Sequence, residues 1–349
     1  MIDRLGGLVR VGLVGLGVAG AGMAGGLAAE RALVRRIKRE PELPGEGPIG
    51  FEGVSERVVV ADDGARLRVL EHGQGRPVVL LHGVTLAAEI WQHQLEEVAA
   101  AGFRVLAVDQ RGHGSSGQGT ERISIDRLAA DLEEILAQLD LNDAVLIGHS
   151  MGGMVALRFL TGPAGSGPIG RRVGALGLVA TTASPLRDRG IFGLDAVLNV
   201  SRPLAKPTSW VVSHLPGGSM PGSDVGLVFT RMAFGEHPSP SQVALTQQTV
   251  ASVPARVTGA LTVEILNFEA GAGVGSIDLP ATVVVGSNDF FTPFQQAEAL
   301  AGAIDGAELV VLDGCGHMVM LERHAQLSAI ITELAGRSGV PKTLADSGA

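Results

Sequence analysis

Ala144-Val145-Leu146-Ile147-Gly148-His149-Ser150-Met151-Gly152-Gly153 runs from four apolar residues into a serine bracketed by glycines. The apolar run reads as a strand buried on both faces, and Met151–Leu160 reads as a helix. Between them, Gly148-x-Ser150-x-Gly152 has the spacing of a sharp strand-to-helix turn. Small residues must flank the serine there to avoid backbone clashes, and its hydroxyl then projects at the top of a sheet.

Outward from this turn, short apolar runs alternate with helical patterns. Pro77–Leu81, Arg104–Val108, Ala175–Ala180, Ala281–Val285 and Glu308–Leu312 read as further strands. Arg57–Ala61 and Arg66–Glu71 flank the hairpin signal Asp62-Asp63-Gly64. Ile90–Ala101 has helical spacing, as do Leu128, Leu132, Ile135, Leu136 and Leu139. This alternation predicts an α/β fold with a mostly parallel sheet covered on both faces. Ligands bind beyond the carboxyl ends of such strands, so chemistry is expected in the loops that follow them. Thr181 to Gly275 breaks the alternation. It is read as a mainly helical insertion over one end of the sheet, with an ordinary helical continuation of the core as the alternative.

A serine hydroxyl needs a base, and the base needs an orienting group. Among nine histidines, His317 follows the run Glu308–Leu312 on the small-residue loop Gly314-Cys315-Gly316. Asp289 follows Ala281–Val285 on the loop Gly286-Ser287-Asn288, with Asp313 as the rival acid. The order Ser150, Asp289, His317 distinguishes this arrangement from other serine triads. Backbone N–H donors for an oxyanion are expected from Met151 and from Val84, in the loop after Leu80-Leu81-His82-Gly83. Trp210, Phe290, Phe291 and Phe294 are candidates for an apolar substrate pocket, or else pack the insertion onto the core.

Composition narrows the function classes. Hydrophobic residues make up 46% and charged residues 18%, which excludes wholesale disorder. The formal net charge of −9 argues against a general nucleic-acid binder. A single cysteine, Cys315, excludes an intrachain disulfide and a Cys-rich zinc site. No metal site and no cofactor is expected. Gly15-Leu16-Gly17-Val18-Ala19-Gly20 fits a dinucleotide fingerprint, but a basic block and a Pro/Gly stretch follow where a second strand should stand.

Val11 to Ala29 carries no charge, and as a helix it would span about 28 Å, close to the apolar thickness of a bilayer. Arg31, Arg35, Arg36, Lys38 and Arg39 follow it. By the positive-inside rule, residues 1–40 are expected to anchor the chain with its catalytic part cytoplasmic. Export after cleavage near Ala19-x-Ala21, and a soluble or peripheral segment that only touches the membrane, are the alternatives. A Pro/Gly linker is expected over 41–56, the folded core over 57–181 and 276–337, the insertion over 182–275, and a tail over 338–349.

From about Arg57 to Arg337 the chain resembles the α/β-hydrolase superfamily, and within it serine esterases and lipases. The resemblance rests on Leu80-Leu81-His82-Gly83, Asp109-Gln110-Arg111-Gly112-His113-Gly114-Ser115-Ser116, the turn at Ser150, Asp289 and Gly316-His317. It implies an eight-stranded, mostly parallel sheet, a helical cap, and Ser150, Asp289 and His317 as nucleophile, orienting acid and base. It implies structural roles for His82, Arg111, His113 and His149. Epoxide hydrolases and haloalkane dehalogenases of this fold use Asp where this chain has Ser150, so the resemblance implies acyl transfer from an apolar ester, or from a thioester or, less often, an amide. Cofactor-free perhydrolases and C–C bond hydrolases share the triad. An inactive hydrolase fold serving as a binding module is the alternative outside enzymes. The sequence leaves oligomeric state open.

Overall fold

The computed structural model describes residue 35 and residues 41–42, 50–186 and 224–337. Eight strands form one sheet in the order β1-β2-β4-β3-β5-β6-β7-β8. They are β1 Ser55–Val60, β2 Arg66–Gly73, β3 Pro77–Leu81, β4 Arg104–Val108, β5 Ala144–His149, β6 Val173–Val179, β7 Ala281–Gly286 and β8 Glu308–Leu312. β1 and β2 pair antiparallel through the Asp62-Asp63-Gly64 turn, and β2 pairs antiparallel with β4. The remaining neighbours pair in parallel. The sequence expectation of a mostly parallel, eight-stranded sheet therefore holds.

Strand side chains alternate between two apolar layers, as a period of two requires. Val79, Leu81, Leu106, Leu146 and Leu176 join one cluster, which is covered by α2 Ile125–Gln138 and α3 Met151–Thr161. Val78, Leu80, Val105, Val145 and Ile147 join the other, covered by α1 Gln92–Ala100 and, near the C-terminus, by His324–Gly336. β3, β5 and β6 are buried along their whole length, which is why they read as unbroken apolar runs. Ser124 caps α2 by accepting the Arg127 N–H, and the strong apolar stripe below it packs on the sheet.

The segment between β6 and β7 contains α4 Asp224–Met232, α5 Pro240–Ser252 and α6 Ala255–Asn267. Ser239 and Gln242 form a reciprocal capping box at the start of α5. α6 places Val257 against Gly112, in the turn after β4. The segment after α4 accepts the His317 N–H at the Ala233 carbonyl, 2.7 Å away. Both contacts fall at the carboxyl ends of the strands, where a cap is expected. α7 Phe294–Ala303 and α8 His324–Gly336 complete the fold.

Several sequence expectations fall outside the described residues: the span 11–29, the glycine fingerprint 15–20, the basic block apart from Arg35, residues 43–49 of the linker, residues 187–223 of the insertion with the pocket residue Trp210, and the tail 338–349. Among the described residues, no helix is long and apolar enough to cross a membrane.

Candidate active site

Ser150 stands between the last residue of β5 and the first of α3, with φ 51° and ψ −118°. A non-glycine residue held there stores strain, and the surroundings over-determine it. The Ser150 N–H donates to the Val179 carbonyl at 2.9 Å, and the Thr181 hydroxyl donates to the Ser150 carbonyl at 2.7 Å. Gly152 sits so close beneath the β3 loop that a Cβ would strike the Leu81 carbonyl oxygen. A Cβ on Gly83 would lie 3.1 Å from the Ser150 Cβ. The two glycines thus let the loop after β3 approach the serine. Met151 is the first residue of α3, so its N–H has no partner within the helix. Among the described residues, no hydrogen bond engages the Val84 N–H.

His317 and Asp289 meet on the loops after β8 and β7. His317 Nδ1 lies 2.9 Å from Asp289 Oδ2, and both residues are buried. Asp289 Oδ1 accepts the N–H groups of Phe291 and Thr292, at 2.8 and 2.9 Å, and Oδ2 also accepts the Thr292 hydroxyl at 2.7 Å. A carboxylate held by this many donors is fixed in place, and as an acceptor it sets Nδ1 of His317 as the nitrogen that carries the proton. Nε2 is left for other work. The rival Asp313 accepts from the Ser287 hydroxyl at 3.2 Å and is not bonded to His317. The residue before the serine, His149, donates Nε2–H to the His317 carbonyl at 3.0 Å. This contact joins the serine turn directly to the histidine loop.

His82 and the turn after β4 are held by buried hydrogen bonds. His82 donates Nδ1–H to the Gly83 carbonyl at 2.7 Å and accepts the Gln110 N–H at Nε2, 3.0 Å away, which makes it a neutral imidazole. Asp109 accepts from Arg68, Ala88 and Ser115 at 2.9, 2.7 and 2.8 Å. Arg111 is fully buried and grips Asp63 and Asp131 bidentately. This arginine holds the Asp63 carboxyl far below the usual carboxylate range.

One pocket candidate lies against the histidine and a second against the first. The Phe291 ring stands edge-on to the His317 ring at 5.2 Å, and Phe290, largely exposed, stands edge-on to Phe291 at 6.1 Å. Phe294 begins α7 and is partly buried against the larger apolar cluster. Sequence reading missed Thr292 and Glu322. Thr292 lies three residues after Asp289, a spacing typical of a side chain folding back on a turn. Glu322 accepts the N–H of Gly316 at 3.0 Å and of Gly235 at 2.7 Å, tying the histidine loop to the insertion. No sequence signal links those positions.

The buried histidines carry a pH consequence. Burial lowers His82 from its ordinary value of 6.5 to about 4, and burial with the neighbouring His82 lowers His113 to about 3. Burial also holds His149 well below 6.5. The folded state refuses protons that the unfolded chain accepts below 6.5. The stability these groups contribute is therefore complete above that pH and is lost as pH falls towards 4 and 3. Chemical denaturation from pH 7 to 4 is expected to show a steadily falling midpoint, with a shallower fall in His113→Gln. A flat midpoint across that range would contradict neutral buried imidazoles.

Three comparisons bear on this arrangement. A non-heme chloroperoxidase of Kitasatospora aureofaciens is 44% identical over 98 residues, covering 28% of this chain and 36% of its own length. The match thus spans about a third of that relative. Epoxide hydrolase A of Mycobacterium tuberculosis is 29% identical over 321 residues, covering 80% of this chain and 97% of its own. An esterase from Exiguobacterium antarcticum superposes with a TM-score of 0.68 at 24% identity, covering 81% of this chain and all of that one, a likeness of fold. The model of the alpha/beta hydrolase family matches residues 78–330, a span that holds the serine turn, Asp289 and the His317 loop. With this sheet order and this placing of loops, the chain belongs to the alpha/beta hydrolase family.

Proposed function

We propose that this chain hydrolyses carboxylic esters of small apolar acids, with Ser150 as nucleophile, His317 as general base and Asp289 as its orienting carboxylate. The observation that carries the reading is the 2.9 Å contact of His317 Nδ1 with Asp289, made at the same sheet edge as the strained Ser150. His317 Nε2 takes the Ser150 hydroxyl proton as Oγ attacks the ester carbonyl. The N–H groups of Met151 and Val84 receive the oxyanion. Collapse expels the alkoxide, which His317 protonates, and leaves an acyl group on Ser150. Water, deprotonated by His317, repeats the attack and releases the acid. Phe290 and Phe291 supply apolar surface beside the base, and residues 182–275 act as the cap.

Kinship with an epoxide hydrolase does not carry over to that reaction. A carboxylate nucleophile opens an epoxide to an ester that water can cleave at its carbonyl. A serine would leave an ether, which water does not cleave under these conditions. Kinship with a chloroperoxidase favours a second reading, in which hydrogen peroxide replaces water in the last step and releases a peracid. The test is a panel of p-nitrophenyl esters of rising acyl length, with a serine-directed phosphonate used to locate the nucleophile. Turnover of short to medium esters and labelling at Ser150 are expected. Labelling elsewhere, or no turnover of any ester, would overturn the reading. Peracid formation faster than acid release in peroxide would favour the second one.

We further propose that residues 11–29 tether the enzyme to a membrane with its catalytic part cytoplasmic, on the uncharged span and the basic block after it. The full chain is then expected to sediment with membranes in high salt, while a chain starting near Glu52 stays in the supernatant with full activity on dissolved esters. Release of the full chain by salt alone would reduce the tether to a charged surface contact.

A further inference from the structure

Outside the serine site, three metal-ligating side chains that sequence reading left unconnected come together between α1 and α8. His93 and Glu97 lie one turn apart on α1, so they share a face of the helix. His324 begins α8. The His93 and His324 rings stack at 4.0 Å with an angle of 17° between them. His324 Nδ1 lies 2.7 Å from Glu97 Oε1. One donor atom from each residue falls within 4.8 Å of the others. His93 is buried, while Glu97 and His324 are partly open, so the group has a dry floor and a route to solvent.

One carboxylate oxygen is unexplained by the fold. Glu97 Oε2 is buried and has no hydrogen-bond partner among the described residues. A buried carboxylate oxygen without a donor is costly. Packing alone offers no reason to keep it beside two imidazoles.

We propose that His93, Glu97 and His324 form a binding site for a divalent transition metal of the zinc class. Two imidazoles and one carboxylate suit Zn²⁺ better than Mg²⁺ or Ca²⁺, which prefer all-oxygen sets. Zinc holds such donors at about 2.0–2.2 Å, with water completing a tetrahedron. The donors would then stand about 3.3–3.5 Å apart. The His324–Glu97 pair therefore opens slightly on binding, and the wider separations close. The proton shared by His324 and Glu97 leaves to solvent as the metal takes its place.

The location gives the site a purpose. The amide of Gln94 on α1 already donates to the carbonyls of Met320 and His324, at 3.2 and 3.4 Å. These residues belong to the segment that leads away from His317. A metal on His93, Glu97 and His324 clamps that segment to α1. It acts as a structural cross-link, apart from the ester chemistry, and the proposal stands whether or not Ser150 hydrolyses esters.

The test uses the full chain, stripped with a chelator and titrated with Zn²⁺ alone against a chromophoric competitor. One equivalent is expected to bind with micromolar or tighter affinity, to raise the thermal midpoint, and to release protons. Co²⁺ is expected to give the intense visible bands of a four-coordinate site. Glu97→Gln, which keeps the side-chain shape, and His324→Ala should each weaken binding at least about tenfold. His72→Ala and His237→Ala, which alter histidines outside the group, should leave it unchanged. Absence of one-equivalent binding would overturn the proposal. So would binding that survives Glu97→Gln and His324→Ala, or that disappears with His72 or His237. Thermal midpoints of the metal-free variants show that each is folded.

Discussion

Ser150→Ala is expected to lower kcat for a short-chain ester by roughly 10⁴- to 10⁶-fold while leaving the denaturation midpoint within error of the parent, or slightly above it. The loss is large because attack depends on the hydroxyl. The fold is spared because, among the described residues, no hydrogen bond engages Ser150 Oγ, and the turn is held by the Ser150 backbone bonds to Val179 and Thr181. Relief of the positive φ is not expected, since alanine at φ 51° is strained as well. His317→Ala should cost about as much. The double variant should be no worse than either single change, because the groups act as a unit. Asp289→Asn should fall by as much as about 10⁴-fold through loss of the Nδ1–H tautomer. Asp313→Asn should stay near the parent, since Asp313 bonds Ser287 rather than His317. Steady-state kinetics on the purified variants decides this. Parental turnover by Ser150→Ala, with contaminating esterase excluded, would end the assignment.

Arg111→Met is expected to destabilise the fold by about 3–5 kcal/mol, measured by equilibrium denaturation. The guanidinium is fully buried and makes two bidentate pairs, with Asp63 at 2.6 and 2.9 Å and with Asp131 at 2.8 and 2.7 Å. Methionine fills much of the volume but leaves two carboxylates without their cation. Asp131 keeps Arg127, at 3.0 Å, and Asp63 keeps the N–H groups of Ala65, Thr120 and Glu121. Those partners set the loss nearer the lower end. Adding Asp131→Leu should recover part of it, because an apolar pair costs less than a stranded charge. A loss below about 1 kcal/mol would show that the network is not a buried ion cluster in solution. The turn it anchors runs from Asp109 to Ser116 and supports His82 through Gln110, so the proposed ester turnover should become more heat-labile in step.

The strand segments, the serine turn and the triad candidates were legible in the sequence because each is local. A strand buried on both faces must be apolar throughout, and Val78–Leu81 and Ala144–Ile147 are. A turn this tight admits only small neighbours, and Gly148 and Gly152 stand there. The loops bearing Asp289 and His317 follow apolar runs directly, and a parallel sheet brings the ends of such runs to one edge. These patterns depend on residues within a few positions of one another, so they survive without coordinates.

Choosing between Asp289 and Asp313 required the fold. Both acids follow strands, and only the packing of the loops after β7 and β8 places Asp289 against Nδ1. The same holds for Phe291, whose place edge-on to the His317 ring comes from the folding of the loop after β7. Glu322 bonds residues 235 and 316, and His93, Glu97 and His324 meet across α1 and α8. Such contacts join positions up to 231 residues apart. Local spacing determined which residues could do chemistry. Which of them share a site was decided by the stacking of helices and loops on the sheet, because hydrophobic packing fixes distances that no spacing along the chain encodes.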